Sequence, residues 1–231
     1  MSVSELSSST QDYLKSIWAL AEWTDRPVTS AQLAERLSLR PSTVSDAVRK
    51  LGAQGLVLHA PYGDIELTEL GRRYAIAMVR RHRLIETFLV HTLGYRWDQV
   101  HDEAERLEHA VSDFMIDRID ELLQHPSRDP HGDPIPRPDG SIRSPRAVPL
   151  AEISAGSVVV VERISDESPE MLQFLEDRGI TLDTRLHVEP GSPFSDAVGI
   201  RIEGATEAVV LGRSATEAIY VSLRDPGPAA A

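Results

Sequence analysis

Residues 29–51, TSAQLAERLSLRPSTVSDAVRKL, contain two helical patterns separated by a turn. Thr29 followed three residues later by Gln32 is a capping-box signature, and Leu33, Ala34 and Leu37 supply the buried face of a short helix. Ser38 to Arg40 make the turn. Pro41 suits the first position of the next helix, where its fixed φ is already helical and its missing N–H costs nothing. In that helix Val44, Val48 and Leu51 face inward at i, i+4 and i+7, and Gly55 marks the end. Ser42, Thr43, Ser45, Asp46 and Arg49 are left facing outward.

Upstream, Tyr13, Leu14, Ile17, Trp18 and Ala21 recur at helical spacing, with Ser and Thr just before them as caps. Downstream, residues 56–58 lead into a turn region, 59–64, containing Pro61 and Gly63, and then into the alternating Ile65-Glu66-Leu67-Thr68, which predicts a β-hairpin. Helix, short helix, turn, helix and hairpin in this order predict a winged helix-turn-helix. In that motif the second helix of the pair enters the major groove of DNA and the hairpin meets the backbone.

Thr68 can cap a long helix reaching about residue 93, and a second amphipathic helix is expected over roughly 97–123. Leu84, Ile85, Phe88 and Leu89 form a broad apolar stripe on the first of these. A dimer interface accounts for it, and an intramolecular core does so almost as well. Residues 125–149, HPSRDPHGDPIPRPDGSIRSPRAVP, lack periodicity and read as a linker. Beyond them come short strands at 158–163, 185–189, 199–202 and 208–211, interrupted by a helix that Ser168 and Pro169 open and Gly179 closes. A small β-barrel of about 75 residues fits this spacing.

The chain has no cysteine, so any metal must be held by oxygen and nitrogen. No basic start followed by an apolar run is present, and no stretch approaches bilayer length, which gives the expectation of a soluble, cytoplasmic protein with no membrane partner. The net charge of -12 argues at first against a nucleic-acid partner. Its distribution reverses the argument: residues 1–82 sum to +1 and residues 83–231 to -13. An N-terminal module able to approach a polyanion is followed by an acidic part able to bind cations.

The segment 101–109, HDEAERLEH, places His101, Glu105, Glu108 and His109 at i, i+4, i+7 and i+8 if it is helical, which puts them on one side. His82 and Glu86 repeat the i, i+4 geometry on the preceding helix. A charged face on one helix is usually solvated. Three His and three Glu at ligand spacing on adjacent helices instead make a full coordination set for a hard or borderline divalent ion such as Mn²⁺ or Fe²⁺, and affinity alone also admits Co²⁺, Ni²⁺ or Zn²⁺.

The stretches QDYLKSIWAL, PSTVSDAVRKL, RRHRLIETFL, VHDEAERLEH and DPHGDPIP resemble the iron- and manganese-dependent repressors typified by the diphtheria toxin repressor and the manganese transport regulator, over nearly the whole chain. The resemblance implies a mainly α fold with a C-terminal all-β domain. Its divisions would be a winged helix-turn-helix domain over 1–74, a helical metal-binding and dimerisation domain over 75–143, and an SH3-like (FeoA-like) β-barrel over 144–231. It further implies a primary metal site at Asp12, Glu105, Glu108 and His109, and an ancillary site at His82, Glu86 and His101 completed by Glu167 and Glu170, two sites per subunit.

In the iron-sensing branch the positions of Asp12 and Glu105 hold methionine and cysteine. Two hard carboxylates here favour Mn²⁺ over Fe²⁺. Short manganese regulators carry a further Glu one turn after the first-helix Asp, where this chain has Lys15. DNA contacts are expected from Arg40, Ser42, Thr43, Ser45, Asp46, Arg49 and Lys50. The resulting expectation is a non-enzymatic, homodimeric, Mn²⁺-dependent repressor of palindromic double-stranded operator DNA, with no small organic substrate, controlling metal homeostasis genes. The rivals are an Fe²⁺-dependent repressor of the same architecture and a metal-dependent hydrolase, against which stands the lack of an HExxH motif.

Overall fold

The computed structural model describes residues 3–23, 26–60, 63–191 and 195–223. Its contacts divide the chain into two units, one of Met1–Ile85, Ala104–Pro126 and Ile135–Ile142, the other of Glu86–Glu103, Ser127–Pro134 and Arg143–Ala231.

In the first unit α1 (Ser8–Glu22) starts where the Ser7 hydroxyl accepts from the Thr10 N–H. It buries Tyr13, Leu14, Ile17 and Trp18. The capping box of α2 (Ser30–Arg36) is formed: Gln32 N–H donates to Thr29 Oγ1 at 3.3 Å, and Thr29 N–H to Gln32 Oε1 at 2.9 Å. Pro41 opens α3 (Pro41–Ala53), and Gly55, at φ +69°, closes it in the left-handed region that favours glycine. The strands β1 (Val57–His59) and β2 (Ile65–Leu67) pair antiparallel with Val57 opposite Leu67. Of the expected hairpin turn, Pro61 lies outside the described residues. Leu14, Ile17, Leu33, Val44, Val48, Ile65 and Met78 share one core. Each such side chain stabilises by about 1.5–3 kcal/mol on burial, so the helices are held to the hairpin far more by packing than by propensity.

Thr68 joins the hairpin to α4 (Glu69–His91), its hydroxyl donating to Gly55 O at 2.7 Å and accepting from Gly71 N–H at 3.0 Å. The single helix expected over 97–123 is not there. Three pieces replace it: a turn of 3-10 helix at Trp97–Gln99, α5 (His101–Glu108) and α6 (Asp113–Leu122). The break at 109–112 is set by Ser112, whose hydroxyl accepts from Met115 N–H and starts a new helix. The apolar stripe on α4 is also resolved: Leu84, Ile85 and Leu89 are buried within the single chain. Three exposed apolar side chains stand on α6, at Phe114, Met115 and Leu122.

The second unit is built on a six-stranded antiparallel sheet of β3 (Val148–Pro149), β4 (Val158–Ile164), β5 (Arg185–Glu189), β6 (Val198–Ile202), β7 (Val209–Leu211) and β8 (Ile219–Leu223). Their order is β3-β8-β4-β5-β6-β7. Alternate residues of β4 and β8 pack with Leu172 and Leu175 of α7 (Pro169–Glu176) and with Ala215 of α8 (Arg213–Ala218). The last described strand, β8, lies between the edge strand β3 and β4, with a register shift against β4 between Val161 and Arg163.

Part of the expected linker is structural. Asp129, His131, Gly132, Asp133 and Pro134 are buried. The Asp129 carboxylate accepts from the backbone N–H of both His131 and Asp133 at 2.9 Å, folding the segment onto itself. Asp133 then accepts from Arg163 Nε at 2.7 Å, and Ile164 N–H donates to His131 O at 2.9 Å. Gly132 sits at φ +94° where a Cβ would overlap the Glu162 carbonyl oxygen. Pro, Asp and Gly mark a turn whether it is solvated or packed, which is why the sequence alone read as linker.

Candidate functional site

Within the first unit, α1 and α5 bring together Asp12, Glu108 and His109, each offering one ligand atom within 4.8 Å of the others. His109, just past the end of α5, has Nε2 3.0 Å from Asp12 Oδ1 and 3.7 Å from Glu108 Oε1. Its other nitrogen is fixed by Gln11. The Gln11 amide nitrogen donates to Val3 O and Leu6 O, so its oxygen is the acceptor for His109 Nδ1 at 2.7 Å. Nδ1 therefore carries a proton and Nε2 is turned toward Asp12, the orientation that metal-binding imidazoles use.

Glu108 is fully buried; its Oε2 lies 2.6 Å from His82 Nδ1 and its Oε1 2.6 Å from Lys15 Nζ. Burial raises the pKa of Glu108, but the His82 and Lys15 bonds outweigh it and hold the carboxyl below its ordinary value. Asp12 goes the other way: burial pushes it up despite the charges of His109 and Lys15. Glu105 stands apart from this trio, half exposed, with its carboxylate 3.2 Å from Lys15 Nζ. Lys15, which the sequence marked only as a departure, thus sits inside the acidic group. Burial works against its charge, and Glu108 and Glu105 together hold the ammonium pKa above its usual value.

The second unit holds another donor group. Glu86 of α4 and His101 of α5 approach to 3.5 Å, and Asp166, in the loop after β4, lies 2.8 Å from His101 Nδ1. Desolvation alone would lower the His101 pKa, but the two carboxylates raise it to about 11. Glu86 is shared with a further trio, Glu86, Asp129 and His131, all buried. His131 Nε2 donates to Trp97 O at 2.7 Å, so Nδ1 is the nitrogen left toward Glu86, 3.9 Å away. His82 precedes Glu86 by one turn of α4.

Neither acidic residue expected to complete this group reaches it. Asp166 occupies the place, while Glu167 and Glu170 are in none of the donor groups found among the described residues, and Glu170 accepts from Ser168 Oγ at 3.2 Å. The physical reason is register. Ile164 is pinned to His131 and Ser168 caps α7, so only three residues span the two anchors, and of the acids in this stretch Asp166 is the one at His101. Asp129, His131 and Gln11 were missed as site residues; the DPHGDP stretch carried a signal in its His between two Asp.

On α3, Arg40, Ser42, Thr43, Ser45, Asp46, Arg49 and Lys50 are all exposed while Val44 and Val48 are fully buried, so one face of the helix is free. Arg49 is oriented along it by Asp46, 2.9 Å away, and Ser45 Oγ donates to its own helix at Pro41 O. No helix among the described residues is long and apolar enough to cross a membrane.

A winged helix-turn-helix with an exposed recognition helix, joined to helices bearing pre-oriented nitrogen and oxygen donors, defines a DNA-binding regulator that answers to a divalent cation. Residues 5–65 match the family described as iron dependent repressor, N-terminal DNA binding domain; residues 68–137 match iron dependent repressor, metal binding and dimerisation domain; residues 148–223 match the FeoA domain. The chain belongs to the iron-dependent repressor family of metal-dependent transcriptional repressors, which are not enzymes.

It is 36% identical over 200 residues to the iron-dependent repressor IdeR of Mycobacterium leprae, a match covering 81% of this chain and 86% of that one. It is 35% identical over 195 residues to the diphtheria toxin repressor of Corynebacterium glutamicum, covering 80% and 85%. Among solved structures, a manganese-dependent transcriptional repressor in complex with manganese superposes with a TM-score of 0.89 at 50% identity, covering 93% of this chain and all of the other.

Proposed function

We propose that the chain is a Mn²⁺-dependent repressor that binds palindromic operator DNA as a homodimer, with two ion sites per subunit. The observation that carries this reading is the meeting of Asp12, from the helix that packs against the DNA-reading module, with Glu108 and His109 from the dimerisation helices. All donors there are oxygen or imidazole nitrogen, a set suited to Mn²⁺ and devoid of the soft ligands that favour other ions. The primary site would be held by Asp12, Glu108 and His109 with Glu105 in reserve. The second would be held by Glu86, His101 and Asp166 with His82 from helix spacing, and Asp129 and His131 adjoin it through Glu86.

A bound divalent ion would add positive charge where these carboxylates already meet. Asp12 then fixes the pose of α1, and through the shared core of α1, α2 and α3, that of the recognition helix. Phe114, Met115 and Leu122 offer an apolar face to a second copy, which would set two recognition helices about one DNA turn, or a multiple of it, apart. Ser42, Thr43 and Ser45 provide short hydroxyls, so base discrimination would rest partly on shape and water, with Arg40, Arg49 and Lys50 on phosphate.

An Fe²⁺-dependent repressor is the second reading, favoured by the names of the 36%-identical relatives. Fluorescence anisotropy of labelled promoter DNA, titrated anaerobically with Mn²⁺, Fe²⁺ and Zn²⁺, separates the two. Half-maximal binding at a lower free Fe²⁺ than Mn²⁺ would overturn manganese as the effector.

A further inference from the structure

Lys15 lies one turn after Asp12 on α1, with its side chain only 13% exposed and its ammonium between two glutamates of α5. Nζ is 2.6 Å from Glu108 Oε1 and 3.2 Å from Glu105 Oε1. The Glu108 oxygen it covers is the one that faces His109, 3.7 Å away, while the other oxygen belongs to His82. Two carboxylates, those of Glu105 and Glu108, thus meet a positive charge supplied by the chain itself, and Asp12 feels the same charge from one turn earlier on α1.

A divalent ion coordinated by Asp12, Glu108 and His109 would use that same Glu108 oxygen. Two cations drawn to that one oxygen repel each other, and in a buried setting the repulsion is weakly screened. A lysine stem has four flexible methylenes, and Glu105, half exposed, marks the way out to solvent.

We propose that Lys15 is a tethered counter-cation of the primary site, holding α1 to α5 through Glu108 and Glu105 in the metal-free protein and leaving when an ion binds. This rests on the primary-site reading given above. It changes what the metal-free state is. The two helices are already tied, by Lys15 through Glu108 and Glu105 alongside the contacts of Asp12 and Gln11 with His109, and the ion replaces the Lys15 tie. The displaced ammonium sets the ion concentration at which the site fills, so Lys15 is a positioning residue that tunes the threshold.

The test compares the full chain with K15M and K15R. Calorimetric melting in excess chelator should show K15M several degrees below the parent, with K15R near it. Isothermal titration with Mn²⁺ should show K15M binding more tightly than the parent by about tenfold, within the 5- to 150-fold range of such couplings, and K15R restoring the weaker binding. If K15M binds Mn²⁺ as the parent does or more weakly, Lys15 is not a competitor and the proposal fails even though the site stands. If Asp12→Ala binds as many ions as the parent with unchanged affinity, the primary-site reading fails first and takes the proposal with it.

Discussion

The side-chain oxygen of Gln11 accepts the Nδ1 proton of His109 at 2.7 Å, and this bond turns the imidazole so that Nε2 faces Asp12. The two residues are 98 positions apart, on α1 and just past α5. Gln11 is itself locked by its two backbone acceptors, so the tautomer of His109 is decided by the fold of residues 3–11. Replacing Gln11 by Met should weaken Mn²⁺ binding at the primary site by about 10- to 100-fold, the usual cost of losing the group that orients a ligating imidazole. Gln11→Glu, which keeps an acceptor, should fall closer to the parent. Isothermal titration on both variants checks this.

Asp12 is the donor that α1 contributes to the trio. Asp12→Ala should abolish metal-dependent DNA binding and leave the dimer intact, because the exposed apolar residues of α6 are untouched. Anisotropy with and without Mn²⁺, alongside sedimentation velocity, reads both. An unchanged Mn²⁺ response in this variant would remove Asp12 from the switch.

The far end of α1 is anchored by Glu22, whose carboxylate meets Arg83 at 2.6 and 2.9 Å with both side chains under 10% exposed. The Arg83 guanidinium also lies 5.4 Å from the Trp18 ring centroid. Arg83→Met leaves Glu22 charged and buried, and should cost about 3–5 kcal/mol, since breaking one side of a buried pair forfeits the compensation for desolvation. A urea melt in chelator measures it; a loss within error of zero would mean the pair is solvated in solution.

The pKa of His101 stands at about 11 in the folded, metal-free protein, above the ordinary imidazole value. A raised folded pKa means a contribution that is complete below about pH 6.5, the unfolded value, and is lost as pH climbs through 11. The stability of the metal-free parent relative to His101→Gln should therefore decline as pH rises from 7 toward 11. Denaturant melts at stepped pH in chelator test the sign; a difference that grows with pH would contradict the Asp166 and Glu86 pairing.

Gly132 meets two demands at once, a positive φ and a carbonyl where a Cβ would stand. Gly132→Ala should cost about 1–3 kcal/mol through backbone strain and overpacking. It should also weaken ion binding in the second unit, because His131 is the neighbouring residue. Thermal melting combined with an ion count by mass spectrometry would show both effects.

The DNA-reading module was largely legible in advance because its determinants are local. The Thr29–Gln32 box, Pro41 at the head of α3 and the i, i+4, i+7 spacing of Val44, Val48 and Leu51 each act within one or two turns. The second unit was only partly legible. Strand β8 pairs with β4 across some 60 residues, as in Val161 opposite Val221, and no short pattern announces such a partner. The helix break at Ser112 was hidden because the apolar period runs through it. Asp166 was passed over for Glu167 and Glu170 since a loop has no period to say which of several neighbouring acids turns inward.

From residues alone came the kinds of atom available: no sulfur, imidazole and carboxylate at helical intervals, and an outward row of hydroxyls and bases on one helix. Spacing along a helix is a property of the chain, so these could be read without a fold. Folding decided which of those atoms face each other. That Lys15 fills the gap between Glu105 and Glu108, that Gln11 sets the ring of His109, and that a turn at 129–133 delivers His131 to Glu86 all follow from distant segments being packed together. The strength of a charge pair weakens with distance and grows with burial, and neither is written in the order of residues.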